Sequence, residues 1–391
     1  MRIAVNAMNL TPSRTLAGGR ELLEAISALK TGHSFLVTAP RGLGYERLDL
    51  GADWEWRFFT RPKRLSSLWR IWFDFVFFPS MVQQHGLEAV IVLGSHAPAR
   101  LAVPVLMLLE DSFDIDREHH PFSSKQGRLM RWLECRMFEW TIGQTDAFIV
   151  QTDYMKERLA EVWKVDPESI HTIPQTLASE LLAGREGRSN GGRKKRPESY
   201  DHKILWLYVS RYHPHKNHRF ILQVAERLRE RGVEDMLFLF TLDPAQAGVE
   251  PLLREIRSRG LSDLIVNLGE LSTDQLAVWY QWTDGLFFPS CLESFGNPLL
   301  EAMGFGLPVC TVDLPYSRAI CGECAAYYRK DSIEDAVEKL LLLKRYDAYR
   351  LELCRRARQR FCLFPAWSDI ARQYIALIDG VIDGVIDGVR P

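Results

Sequence analysis

GLFFPSCLESFGNPLLEAMGFGLPVCTV, residues 285–312, contains a strand, a tight loop, a helix and a second strand in one uninterrupted stretch. GLFFPS from Gly285 and LPVCTV from Leu307 are short apolar runs of strand length. Between them lies ESFGNPLLE, Glu293 to Glu301. Gly296 permits close backbone approach, and Asn297 suits an N-cap. Pro298 suits the first helical position, because its missing N–H would be unpaired there anyway. A helix N-terminus that follows the carboxyl end of a strand presents free amides and the positive end of the helix dipole. It is therefore a phosphate site, with Phe295, Gly296, Asn297 and Leu299 as candidate donors. Pro298 cannot donate.

The same alternation extends along the whole chain. IAVNA from Ile3, SFLVTA from Ser34, AVIVL from Ala89, VPVLMLL from Val103 and AFIV from Ala147 alternate with helical patterns. ILWLYVS from Ile204, MLFLFTL from Met236 and LIVNLG from Leu264 do so again. This predicts an α/β chain of two doubly wound, Rossmann-like domains with parallel sheets, facing each other across a cleft. Residues 1–184 form the first domain and 204–365 the second. Arg185–Lys203, rich in Gly, Ser and basic residues, reads as a flexible linker because it cannot bury enough surface to offset its ordering entropy. Residues 366–391 form a closing helix and a tail of three IDGV units, where a glycine every four residues predicts fraying.

Composition narrows the function classes. With 47% hydrophobic and 25% charged residues the 391-residue chain can bury large cores, and a net charge of -1 gives no global field for nucleic acid. Of seven cysteines only Cys321 and Cys324 form a C-x-x-C, without the second pair a four-ligand zinc site needs. That usage suits a reducing cytoplasm. MRIAVNAMNL reads as an opening strand rather than a secretory signal, and no run approaches the ~20 apolar residues that span a bilayer.

A second constellation, SRYHPHKN, follows the strand ILWLYVS and precedes a helix. Arg211 and Lys216 thus leave a strand's carboxyl end, where two fixed cations can neutralise a diphosphate and stabilise its departure. A solvated basic loop is the plain alternative. Glu293 in its loop and Glu301 one turn into the helix can reach sugar and ribose hydroxyls, or simply complement the helix dipole.

These residues carry a family resemblance. The Glu-x7-Glu spacing of ESFGNPLLE, together with SRYHPHKN, resembles the retaining glycosyltransferases of family 4, which have the GT-B fold. QTDYMKERL from Gln151, IHTIPQ from Ile170, LGELSTDQL from Leu268, SRAICGECAAYY from Ser317 and FPAWSDIARQY from Phe364 extend it over most of the chain. The resemblance implies that Arg211 and Lys216 hold the diphosphate, Glu293 the donor sugar and Glu301 the ribose, with Leu271 in the base-contacting loop. It further implies retention of anomeric configuration, no bound metal or other cofactor, and a final helix that crosses back onto the first domain. Where the family commonly carries His-Asp, this chain has Glu110-Asp111. Asp111 keeps its half of that catalytic role, and Glu110 can serve as an acceptor-side hydrogen-bonding group or pair with a local Arg. Gly18-Gly19, ahead of GRELLEAISAL, matches a glycine pair the family places beside acceptor or phosphates.

Other features have plainer readings. Asp114 and Asp116 form an Asp-x-Asp of the metal-binding kind, although the second domain already supplies cations for a diphosphate. His119-His120 has no partner at ligand spacing and reads as a surface turn. The run WRFFTRPKRLSSLWRIWFDFVFFPS from Trp56 mixes aromatic and basic residues, as core segments or membrane-surface segments do. The leading expectation is transfer from a nucleoside-diphosphate sugar to a saccharide or lipid-linked saccharide, by a cytoplasmic protein peripheral to the membrane. A sugar-nucleotide 2-epimerase and a non-enzymatic two-lobed sugar-binding protein are the rival classes.

Overall fold

The computed structural model describes the chain except residues 10–13, 61, 63–65, 95–96, 99–100, 111–134, 137, 190–195 and 387–391. Asp111, Asp114, Asp116, His119 and His120 lie outside the described residues. The chain forms two units, Met1–Gln175 with Pro365–Pro391, and Thr176–Phe364.

The first unit is built on seven parallel strands: β1 Arg2–Asn6, β2 Ser34–Pro40, β3 Trp54–Phe59, β4 Ala89–Leu93, β5 Val105–Leu108, β6 Ala147–Val150 and β7 Ile170–Thr172. Their order is β3-β2-β1-β4-β5-β6-β7. The central strands are buried on both faces, which is why they read as continuous apolar runs rather than alternating ones. Ile3 and Val5 face one core and Ala4 the other, as a pleat with a two-residue period requires.

Leu22, Leu23 and Ile26 of the helix Arg14–Ala28 cover the first face together with the C-terminal helix Trp367–Ile386. That helix corrects the expected fraying for the first two IDGV units, residues 378–385, while the third lies outside the described residues from position 387 on. A repeat of four keeps Ile378 and Ile382 on one helical face, below Tyr374 and Ile375, and all four are buried. Core burial outweighs the roughly 1 kcal/mol a mid-helix glycine costs.

The aromatic run resolves into a strand and a helical segment, and its two faces differ. Phe73 and Phe78 pack into the second core, while Ile71, Trp72, Phe75 and Val76 are exposed. A π-helical turn, Phe73–Phe77, joins the helices Ser66–Trp72 and Phe78–Gln84.

The second unit has six parallel strands: β8 Ile204–Tyr208, β9 Met236–Phe240, β10 Ile265–Asn267, β11 Gly285–Phe288, β12 Val309–Val312 and β13 Ala326–Tyr328. Their order is β10-β9-β8-β11-β12-β13, so the winding reverses between β8 and β11. Loops leaving two such strands diverge and open a crevice at their carboxyl ends.

The division falls after Gln175, earlier than the expected 184. Leu177 and Leu181 are buried within the second unit, and the helix Ser179–Ser189 packs along the helix Thr273–Trp282. The Gly- and Arg-rich composition from 185 onward therefore conceals the end of a docked helix rather than the start of a free linker.

Candidate functional site

Both chemistry-bearing motifs leave the switch point, SRYHPHKN after β8 and CLESFGN after β11. Backbone and side chain tie the two loops together. The Cys291 amide donates to the His215 carbonyl at 2.7 Å, and the Asn217 side-chain amide reaches Cys291 Sγ at 3.6 Å. Tyr208, at the end of β8, donates its hydroxyl to the Lys216 carbonyl. Asn217 takes the left-handed conformation, φ 56°, that turns the chain into the helix His218–Glu230.

This scaffold brings Lys216 against Glu293, with Nζ 2.7 Å from both carboxylate oxygens and both side chains largely buried. The two residues expected to serve diphosphate and sugar separately are thus partners of one another here. Arg211 is half exposed and lies 3.8 Å from Glu270, which connects the β8 loop to the loop holding Leu271. Leu271 is half-buried directly before Ser272, whose hydroxyl and amide form a capping box with Gln275.

The helix predicted in ESFGNPLLE spans Asn297–Gly304, and its N-cap is Gly296 rather than Asn297. Gly296 has φ 85°, and a Cβ there would come within 3.2 Å of Leu299 Cδ1, so glycine is required. The shift by one residue removes one expected donor, because the Leu299 amide bonds the Gly296 carbonyl at 2.8 Å. The amides of Phe295, Gly296 and Asn297 make no backbone hydrogen bond among the described residues and remain available to an anion. Glu301 is buried in the second turn, where Tyr280 donates its hydroxyl to Oε2 at 2.6 Å.

Two histidines in this loop region add no charge. Burial, then Lys216, then His213 push His218 down to about 3, and burial with Lys216, His213 and His218 does the same to His215. His218 Nε2 lies 2.9 Å from the Ser210 hydroxyl, and its ring packs on Tyr208 and Phe240. Because the folded value lies below the ordinary 6.5, the unfolded chain takes up protons first. The stability these groups contribute is complete above about pH 6.5 and drains as pH falls toward 3, by up to about 1.4 kcal/mol per pH unit for each group. We expect His218→Gln to flatten this acid slope in melting experiments from pH 7 to 4. Parallel curves for the two proteins would contradict it.

In the first unit Gly18 and Gly19 lie inside the helix Arg14–Ala28, not ahead of it, because helix-compatible residues before them extend the helix by a turn. With Glu110, Gln151, Gln175 and Trp367 they enclose a cavity of about 20 Å³, room for about one water. Glu110 accepts from the Gln175 side-chain amide at 3.3 Å. Cys321 and Cys324 are both buried and unbridged, and burial raises both thiols. Among the described residues no group of three or more His, Cys, Asp or Glu could hold a metal ion.

Tyr280 and His218 escaped the sequence reading. Each is an unremarked member of an amphipathic helix, and only its partner in space gives it a role.

The fold agrees with what known proteins show. The family described as glycosyl transferases group 1 matches residues 193–360, and the glycosyl transferase 4-like domain matches residues 24–176. An MMP α-(1→4)-mannosyltransferase of Mycolicibacterium hassiacum is 26% identical over 243 residues, 61% of this chain and 53% of that protein. The chain spans about half the length of that relative. Among solved structures, the lipopolysaccharide-biosynthesis glycosyltransferase WaaG superposes with TM-score 0.72 at 16% identity, covering 97% of this chain and 100% of that one. Anabaena HepE, solved with UDP-glucose, gives TM-score 0.69 at 14% identity over 97% and 100%. Those likenesses show the fold. The two family matches together take in most of the sequence, and the chain belongs to the group 1 glycosyltransferases of the GT-B fold.

Proposed function

We propose that this chain transfers a sugar, with retention of anomeric configuration, from a nucleoside-diphosphate sugar to a saccharide or lipid-linked saccharide in cell-surface polysaccharide or lipopolysaccharide synthesis. The observation that carries the reading is the Lys216–Glu293 pair, set beside the three open amides at Phe295, Gly296 and Asn297. An arriving diphosphate competes for Lys216 and gains Arg211 and the amides, which releases the Glu293 carboxylate toward the sugar hydroxyls. Glu301 takes the ribose and Leu271 the base, Asp111 keeps a catalytic role, and Gly18, Gly19 and Glu110 serve the acceptor. Cations and amides supply the charge stabilisation, so the reading needs no metal or other cofactor.

The mannosyltransferase and lipopolysaccharide names among the relatives support the acceptor class, and the UDP-glucose complex of HepE supports the donor class. The test begins with a thermal-shift screen of sugar nucleotides, where a ligand at a hundredfold its Kd adds about 2.7 kcal/mol. Product from the hit donor should keep the donor's anomeric configuration by NMR, at a rate within about twofold with EDTA present. An inverted product or a dead EDTA reaction would remove the corresponding part, and acceptor-independent release of an altered sugar nucleotide would favour an epimerase.

We place the protein at the cytoplasmic face of the membrane. The stretch WRIWFDFVFF, Trp69–Phe78, has only Arg70 and Asp74 as polar groups, and these pair with each other. Ile71, Trp72, Phe75 and Val76 lie on one exposed face, where Phe75 stacks on Trp140 at 4.7 Å. A helix that is apolar on its outer side needs cover, and the basic run before it suits an anionic lipid surface. No described helix is long and apolar enough to cross a membrane. Cosedimentation with phosphatidylglycerol vesicles at low salt should weaken about tenfold or more in the Trp72→Ser, Phe75→Ser double variant. Equal binding of both proteins would rule this face out.

A further inference from the structure

Glu301 is 4% exposed, so its carboxylate can face a ligand productively only in a narrow range of orientations. The last torsion of a glutamate is intrinsically broad, and something must narrow it. Tyr280 does this, donating to Oε2 at 2.6 Å from a fully buried position.

The phenol is itself held from two sides. Its ring stacks on Phe305 at 5.1 Å with a 22° tilt, and Phe305 caps the helix that carries Glu301. Its own helix, Thr273–Trp282, is locked from behind by the helix Ser179–Ser189. Gln281 donates to the Gly184 carbonyl at 2.8 Å, and a Cβ at Gly184 would lie 2.7 Å from the Ala277 Cβ. Leu271 stands directly ahead of that same helix and Tyr280 lies near its far end. One rigid element thus connects the loop expected at the base to the carboxylate expected at the ribose.

We infer that Tyr280 is a positioning residue for nucleoside recognition, holding the Glu301 carboxylate in the orientation that accepts ribose hydroxyls and so selecting ribo- over 2′-deoxyribonucleotides. The inference rests on the reading of Glu301 as the ribose ligand. A site built to pair a hydroxyl rejects the analogue lacking it, because a buried polar group is then left unpaired. That selectivity depends on the acceptor being fixed before the ligand arrives. Removing the phenol oxygen leaves the ring stack in place but takes this hydrogen bond from the carboxylate.

The experiment is calorimetric titration with UDP against 2′-deoxy-UDP, and GDP against 2′-deoxy-GDP, for wild type, Tyr280→Phe and Glu301→Ala. Wild type should bind the ribo member of one pair about tenfold or more tightly than its deoxy partner. In Tyr280→Phe the ribo affinity should fall about three- to tenfold while the deoxy affinity stays within about twofold, with kcat at saturating donor also within about twofold. Glu301→Ala should erase the preference altogether. If Glu301→Ala erases it and Tyr280→Phe does not, or weakens both ligands equally, Tyr280 is only packing and the inference fails alone. If wild type binds neither pair or shows no preference, or if Glu301→Ala keeps it, the ribose reading fails and takes the inference with it.

Discussion

Lys216→Ala should lower kcat/KM for sugar transfer by about 10³-fold, roughly 4 kcal/mol of transition-state stabilisation, and weaken nucleoside-diphosphate binding by about tenfold or more. Lys216 is the better buried of the two cations leaving the β8 loop, and the neutral His215 and His218 cannot take over its charge. The variant also leaves Glu293, whose side chain is 11% exposed, without its cation. Loss of that partner costs on the order of 1–3 kcal/mol and should lower Tm by a few degrees without unfolding the protein. Lys216→Arg should recover only part of the activity, since a broad planar fork does not reproduce a compact point charge. Turnover of Lys216→Ala within tenfold of wild type, measured on folded protein, would overturn the assignment of the diphosphate site.

Glu293→Gln separates binding from chemistry. Both carboxylate oxygens engage Lys216 in the ligand-free protein, so the glutamate competes with a diphosphate for the same ammonium. Neutralising it frees Lys216, and a nucleoside diphosphate without its sugar should bind as tightly as to wild type or more so. Transfer should nonetheless fall about 10²- to 10³-fold, because the charge proposed to orient the donor sugar is gone. Calorimetry with the diphosphate and single-turnover transfer with the intact donor measure the two halves separately. Parallel losses in both would show that Glu293 acts only as a structural partner of Lys216.

The central strands were legible because burial on both faces writes them as continuous apolar runs, and IAVNA, AVIVL and MLFLFTL need no tertiary information to be read. The three strands absent from the sequence reading, β3, β7 and β13, are all sheet edges. An edge strand is half covered or short, and WEWRFF or IHT carries too little pattern to separate it from a loop. The aromatic run was ambiguous for a related reason. Its apolar residues belong to two faces, and composition records their number but not which of them a core has claimed.

The motifs behaved similarly. ESFGNPLLE announced a helix N-terminus correctly, while the capping residue shifted from Asn297 to Gly296 because the loop enters with positive φ, a property of backbone path. The glycines of the IDGV units predict fraying from local propensity, although the burial of Ile378 and Ile382 decides the conformation of the first two units. By itself, then, the sequence determined what is local and periodic: two parallel sheets, their central strands, and a strand–loop–helix stretch flanked by two cations and two carboxylates. The tertiary structure alone decided which of these charges meet. Lys216 and Glu293 are 77 residues apart, and Tyr280 and Glu301 are 21. Each pairing depends on how loops and helices register around the β8–β11 switch, and no short-range pattern encodes that register.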